Sequence, residues 1–232
     1  MRRIVLASVL SIAFVPVSAP GATHAPNDRI RHSTSSNWSG YAALGGGYTS
    51  IASTWIQPAV TCTTQNTWSS FWVGLDGDGS STVEQTGTEA DCRNGVPAYS
   101  AWYEMYPKWP VTWSMAVHAG DSFTASVVVG KRGVFTLTLR NNTTGATASV
   151  AQNAKQARLY SAEVIAEAPW SNGVLPLSNF ATVSFTNSRA NGNAIGTYAP
   201  DGMTMVMPDG TPKATPGALT NGTDFQVVWS HV

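Results

Sequence analysis

The chain has 232 residues, a formal net charge of zero and only 11% charged residues, against about 25% in typical domains. That length suits one large domain, and the charge balance excludes a polyanion-seeking surface: no basic run is present to meet nucleic acid. Few charges also mean weak Lys/Arg repulsion once carboxylates are protonated, so the composition fits acid tolerance, as it fits any neutral exported β-protein.

At the N-terminus, Arg2 and Arg3 precede the apolar run IVLASVLSIAFV and the small residues VSAPGATHA. This is the pattern of a signal peptide, and the run is shorter than the ~20 residues a membrane span needs. A leader is expected over residues 1–25, with cleavage after Ala19 or Ala25. The mature chain is expected to be secreted to the extracellular space and monomeric, with no membrane association. Residues 26–36 are polar and irregular, which suggests a flexible tail or a short pro-segment. The folded domain is expected over 37–232.

From Asn37 onward, short alternating apolar runs are split by Gly, Asn, Asp and Pro, a strand-and-turn pattern. Clear examples are TASVVV (124–129), VFTLTL (134–139), TVSFT (182–186) and the C-terminal FQVVWSHV, with turns at NNTTG from Asn141 and NSRANGN from Asn187. QNAKQARLYSAEVIAEA favours helix by propensity, but its end alternates, so a strand entered by a loop is expected there. Strands without βαβ alternation imply an all-β sandwich or barrel. Cys62 and Cys92 are consistent with one disulfide in an oxidising compartment. Two thiols without an HExxH or CxxC pattern do not make a metal site, and neither metal nor cofactor is expected.

Side chains alternate between the two faces of a strand. In SSFWVGLD, Phe71, Val73 and Leu75 share one face, and Trp72 and Asp76 the other. In YSAWYEMY, Tyr103 and Met105 oppose Trp102, Glu104 and Tyr106. In AEVIAEA, Val164 and Ala166 oppose Glu163, Ile165 and Glu167. Each strand thus offers one apolar face to a core. Its second face mixes carboxylates with large apolar groups, as the floor of a binding groove does; an outer face with scattered acids is the plainer alternative.

The stretch VGLDGDGSSTVEQTG (73–87) has the look of a calcium loop. An EF-hand needs glycine sixth and glutamate twelfth; counted from Asp76 these places hold Ser81 and Gly87. The stretch is better described as strand, tight turn and a short strand presenting Gln85. Nucleophilic triads also fare poorly. There is no GxSxG; His24 falls in the leader, His32 in the tail and His231 at the end, and His118 lies on an expected strand without a nucleophile partner.

NWSGY (37–41), FWVGLDGD (71–78), EQTG (84–87), AWYEMYP (101–107) and AEVIAEAP (162–169) occur in this order, with GDSF, NNTTG and FATVSFTN placed among them. Taken together they resemble the glutamic peptidases, or eqolisins, from about residue 37 to the C-terminus. The resemblance implies a concanavalin-A-like sandwich of two antiparallel sheets, polypeptide substrates and a catalytic glutamine and glutamate. Matching the Q-T-G motif places the glutamine at Gln85. The A-E-aromatic-I-x-E pattern places the glutamate at Glu167. Glu163 lies on the same face, about 13 Å away at ~3.3 Å per residue, so only the family pattern chooses between the two. By the same matching, Trp38, Trp72, Asp76, Glu104 and Tyr106 are groove residues or their supports.

Val164 stands where the family has an aromatic, Met105 where it often has tryptophan, and only 26–36 stands where fungal relatives carry a long propeptide. Two other functions are compatible with a concave aromatic sheet. One is a sandwich glycosidase using Glu104 and Glu167; the other is a lectin-like carbohydrate-binding module.

Overall fold

The computed structural model describes residues 21–31 and 33–232. Most of the expected leader lies outside the described residues. Within them the regular structure is β-strand, with two short 3-10 turns at Lys131–Gly133 and Ile195–Tyr198.

Two sheets face one another. The first runs, strand by strand, through Asp201–Val206, Trp38–Leu44, Ser161–Glu167, Ser70–Leu75, Val83–Arg93, Val96–Tyr106 and Val111–Thr112, all antiparallel. The second runs through Thr147–Asn153, Val134–Asn141, Ser122–Val129, Ser50–Ile56, Thr182–Ala190, Phe225–Trp229 and Pro212–Pro216. Pro212–Pro216 then pairs with the end of Asp201–Val206. That strand therefore belongs to both sheets and closes one side of the sandwich.

The expected alternation builds the core. Phe71, Val73, Leu75, Met105, Val164 and Ala166 pack between the sheets with Trp55, Phe123, Leu137 and Phe185 from the opposite layer. The other face of the first sheet carries a smaller apolar cluster of Trp38, Trp72, Trp102, Val83, Ile165 and Met203. Segment 154–160 enters the Ser161–Glu167 strand as a loop, despite its helix-favouring composition. Cys62 and Cys92 form a disulfide.

Four local expectations need correction. The strand presenting Gln85 is long, Val83–Arg93, because it is paired along its whole length with Val96–Tyr106. The C-terminal strand stops at Trp229. His118 lies in a loop, where its backbone N–H donates to Asp121 Oδ2. Residues 26–36 are not irregular throughout: Arg29–Arg31 pairs with Thr34–Ser35, which in turn lies parallel to Thr204–Met205.

Glycine sets one close approach that the first sheet needs. A Cβ on Gly87 would lie 2.2 Å from the Phe71 carbonyl oxygen and 2.5 Å from Trp72 Cβ. Gly87→Ala is therefore expected to push the two strands apart and destabilise the protein by about 3 kcal/mol, at the upper end of overpacking costs. Urea unfolding of the variant beside the parent protein measures this.

Candidate active site

The register across the Ser70–Leu75 strand defines three rungs on one face. Ser70 faces Glu167 on one side and Glu89 on the other. Trp72 faces Ile165 and Gly87. Gly74 faces Glu163 and Gln85. One strand further on, Glu89 faces Ser100, Gly87 faces Trp102 and Gln85 faces Glu104. Residues two apart point the same way, so these groups share a surface. Gln85, Glu104, Glu163 and Glu167 are completely buried on it, and Glu89 is nearly so.

Glycine opens the space in which Trp72 lies. A Cβ on Gly74 would meet Trp72 Cζ3 at 2.9 Å. With Gly74 and Gly87 beside it, the indole lies down on the sheet, and its Nε1 donates to Glu167 Oε2 at 2.8 Å. Ser70 Oγ approaches the same oxygen at 3.5 Å. Trp38, opposite Glu167 on the other neighbouring strand, packs edge-on against Trp72. On the far side, Gln85 Nε2 donates to Glu104 Oε2 at 3.2 Å. Gln85 Oε1 is buried and receives no hydrogen bond from the described residues.

The expected site residues mostly converge. Gln85, Glu104, Glu167, Trp72 and Trp38 surround one region, and Tyr106 packs against the edge of the same apolar cluster. Asp76 does not join them. The strand ends at Leu75, and Asp76 takes a left-handed conformation, φ 67°, which ends the alternation that would have kept it on the groove face. Its carboxylate accepts the backbone N–H groups of Arg158, Leu159 and Tyr160 at 2.7–2.9 Å. Asp76 thereby fixes the loop that feeds the Glu167 strand. Burial holds the Glu163 carboxyl well above the usual carboxylate range, and the charges of Asp76, Asp78 and Glu84 add to that.

Two participants were missed in the sequence. Glu89 shares a face with Gln85 by simple alternation in EQTGTEA, a signal that was there to be used. His24 was assigned to the leader, and nothing local marks it. It is 1% exposed and stacks on Trp102 with ring centroids 3.6 Å apart and an interplanar angle of 8°. Its Nδ1 lies 3.4 Å from Glu167 Oε2, and its Nε2 3.5 Å from Glu89 Oε1.

Burial governs the electrostatics. It pushes Glu84 up to about 8, helped by the Asp76 charge. It also pushes Glu104 up to about 8, opposed by His24. Glu167 is raised by burial as well, with His24 and the Trp72 N–H pulling it back. Burial alone would depress the His24 imidazole, but its contacts with Glu167 and Glu89 outweigh that and hold it at about 10.

The peptidase A4 family model matches residues 36–229. The chain belongs to that family, the glutamic peptidases or eqolisins. It is 26% identical to aspergillopepsin-2 of Aspergillus niger, over 73% of this chain and 70% of that protein. It is 33% identical to scytalidopepsin B of Scytalidium lignicola, over 47% of this chain and 42% of that one. Among solved structures it is similar to scytalido-glutamic peptidase bound to a transition-state analogue inhibitor. The TM-score is 0.73 at 25% identity, over 84% of this chain and 98% of the other. The aspergilloglutamic peptidase of A. niger superposes with TM-score 0.63 at 27% identity, over 70% and 99% of the two chains. The chain is thus a peptide hydrolase of the glutamic type with the family's β-sandwich, and the family assigns it acid endopeptidase activity.

Carboxyl groups whose pKa is higher in the folded state bind protons that the unfolded chain has released. Their stabilising contribution is complete below the unfolded value of about 4.3 and fades as pH climbs toward the folded value. For Glu84 and Glu104 that window reaches to about 8. His24, raised to about 10, loses its contribution in the same direction above its unfolded value. The melting temperature of the full chain is therefore expected to fall between pH 4.5 and pH 8 by at least about 5 °C, a shift worth roughly 2 kcal/mol in a chain of this size. A melting temperature that rises across this interval contradicts the burial of these groups.

Proposed function

We propose that this peptidase is secreted and works with Glu167 as general base and acid and Gln85 as the oxyanion donor. The observation that carries the proposal is that Gln85 and Glu167 both contact His24. Gln85 Nε2 donates to the His24 carbonyl oxygen at 2.6 Å, and Glu167 Oε2 lies beside the His24 ring. A peptide carbonyl therefore already occupies the place where an oxyanion would be stabilised.

Ionised Glu167 takes a proton from water, and the resulting hydroxide adds to the scissile carbonyl carbon. The carbonyl oxygen becomes an oxyanion held by the Gln85 amide N–H. Gln85 Oε1 receives no hydrogen bond from the described residues and is suited to orient the attacking water. The C–N bond then breaks, and Glu167 returns its proton to the leaving amine. Hydrogen bonds from Trp72 and Ser70 position the carboxylate for both transfers. Glu167 is the one of the two strand carboxylates that carries a described contact with the His24 ring, at 3.4 Å, which supports the choice of Glu167 over Glu163.

Glu104 has a positioning role. Its Oε2 accepts from the Gln85 amide and from the His24 backbone N–H at 3.0 Å, which aims Gln85. A glycosidase pairing Glu104 with Glu167 would need that oxygen for a sugar. An amide beside a single working carboxylate also lacks the shared proton of an aspartic peptidase pair, so pepstatin is expected not to inhibit.

Hydrolysis of unfolded protein substrate in acid tests these roles. Gln85→Ala is expected to lower kcat by about 10²–10³-fold, the cost of one oxyanion donor. Glu167→Gln is expected to lower it by about 10⁴-fold or more, at the upper range of acid–base catalysis. Pepstatin is expected to leave the parent rate unchanged. Normal activity in Gln85→Ala, with activity abolished in Glu104→Gln, would instead favour the glycosidase-like pair.

A further inference from the structure

Residues 22–27 lie across the groove floor. Thr23 makes a two-way backbone bridge with Trp170, N–H to O at 2.8 Å in both directions. The His24 N–H and C=O meet Glu104 and Gln85. The Ala25 carbonyl accepts from Trp38 Nε1 at 3.1 Å, and the Asn27 N–H donates to the Gly77 carbonyl at 3.1 Å. The Pro26 carbonyl accepts from Asn37 Nδ2 at 3.2 Å, so each residue from Thr23 to Asn27 is anchored, as a bound peptide is in β-type recognition. The bond that follows the carbonyl held by Gln85 is His24–Ala25.

The His24 side chain fills a built pocket. Trp102 supplies a flat face, and Glu89 and Glu167 supply carboxylates toward the two ring nitrogens. Ser70 Oγ lies 3.1 Å from Nδ1. Ser100 Oγ donates to Glu89 Oε2 at 2.6 Å, which leaves Glu89 Oε1 directed at Nε2. A flat ring with a donor on both edges matches this pocket; a phenyl ring has the shape and lacks the donors.

Building on the dyad assignment above, we propose that the pocket of Trp102 and Glu89 is the subsite for the residue on the acyl side of the cut bond, that it selects an imidazolium side chain, and that His24–Ala25 is its first substrate. Water adds across the His24–Ala25 amide. The hydroxyl goes to the His24 carbonyl carbon, the C–N bond breaks, and the proton held by Glu167 passes to the Ala25 nitrogen. The products are a chain ending in a His24 carboxylate and a domain beginning at Ala25. Until that cut, residues 22–27 block the groove. Glu89 is a specificity-determining residue in this account and takes no part in bond breaking.

Two readouts test the inference, both in buffer near the ordinary carboxylate pKa of about 4.3. The full chain is made by translation without membranes under oxidising conditions, so that no signal peptidase acts, and its N-terminus is read by mass spectrometry. Ala25 is the expected new terminus, absent in Glu167→Gln. Separately, kcat/KM is measured on two synthetic peptides that differ only in His or Phe before the cut bond, with the processed parent enzyme and with Glu89→Gln. The parent is expected to prefer His. Glu89→Gln is expected to cut that preference about ten-fold or more, chiefly through KM, as loss of a charged hydrogen-bond partner does. A terminus other than Ala25, or a preference for Phe unchanged in Glu89→Gln, overturns the inference while the peptidase roles of Gln85 and Glu167 stand. Failure to cleave either peptide while unfolded protein is still hydrolysed overturns the inference alone; failure on unfolded protein as well removes the dyad assignment with it.

Discussion

The site depends on one constraint, the pleat of the Ser70–Leu75 strand and its two antiparallel neighbours. That strand sits between Ser161–Glu167 and Val83–Arg93, and its register decides which groups from distant parts of the chain share a surface. A slip of one residue would send Glu167, Gln85 and Trp72 into the sandwich core and bring Phe71, Val73 and Val164 to the groove. The packed core of the sandwich therefore fixes the active-site geometry. The glycines at 74 and 87 complete the constraint, because a Cβ at either position would crowd the Trp72 side chain that bonds Glu167.

Burying several carboxyl groups on one apolar, tryptophan-lined face is costly if they are charged. In acid the cost is relieved, since a group such as Glu104 holds its proton. The working range of an acid peptidase and the stability of its active-site sheet thus have a common origin. The imidazole of His24 relieves the same cost in another way, by placing a cation among Glu89, Glu104 and Glu167. The segment that blocks the groove also neutralises it.

Much of this was legible in the sequence. Period-two alternation in SSFWVGLD, YSAWYEMY and AEVIAEA separated the core face from the opposite face for Phe71, Trp72, Glu104, Val164 and Glu167, because each lies inside a strand flanked on both sides. Asp76 broke the pattern because alternation ends where the backbone turns left-handed, and a short Gly-rich turn does not say at which residue that happens. Thr23, His24 and Asn27 were illegible for a different cause. Their placement comes from contacts with Trp170, Gln85, Trp102 and Gly77, far away in the chain, and local composition carries no trace of them. Alternation alone left Glu163 and Glu167 equivalent; the Trp72 hydrogen bond and the contact with His24 distinguish them.

The central claim is that an amide and a carboxyl group, Gln85 and Glu167, meet the reacting carbonyl from two sides. The most direct measurement is a crystal structure of the processed enzyme with a peptide-based transition-state analogue carrying a tetrahedral hydroxyl. The account predicts that this hydroxyl lies within hydrogen-bond distance of both Gln85 Nε2 and the Glu167 carboxyl group, with the analogue backbone following the path of residues 22–27. A complex in which the hydroxyl sits between Glu104 and Glu167, with Gln85 turned away, would contradict it.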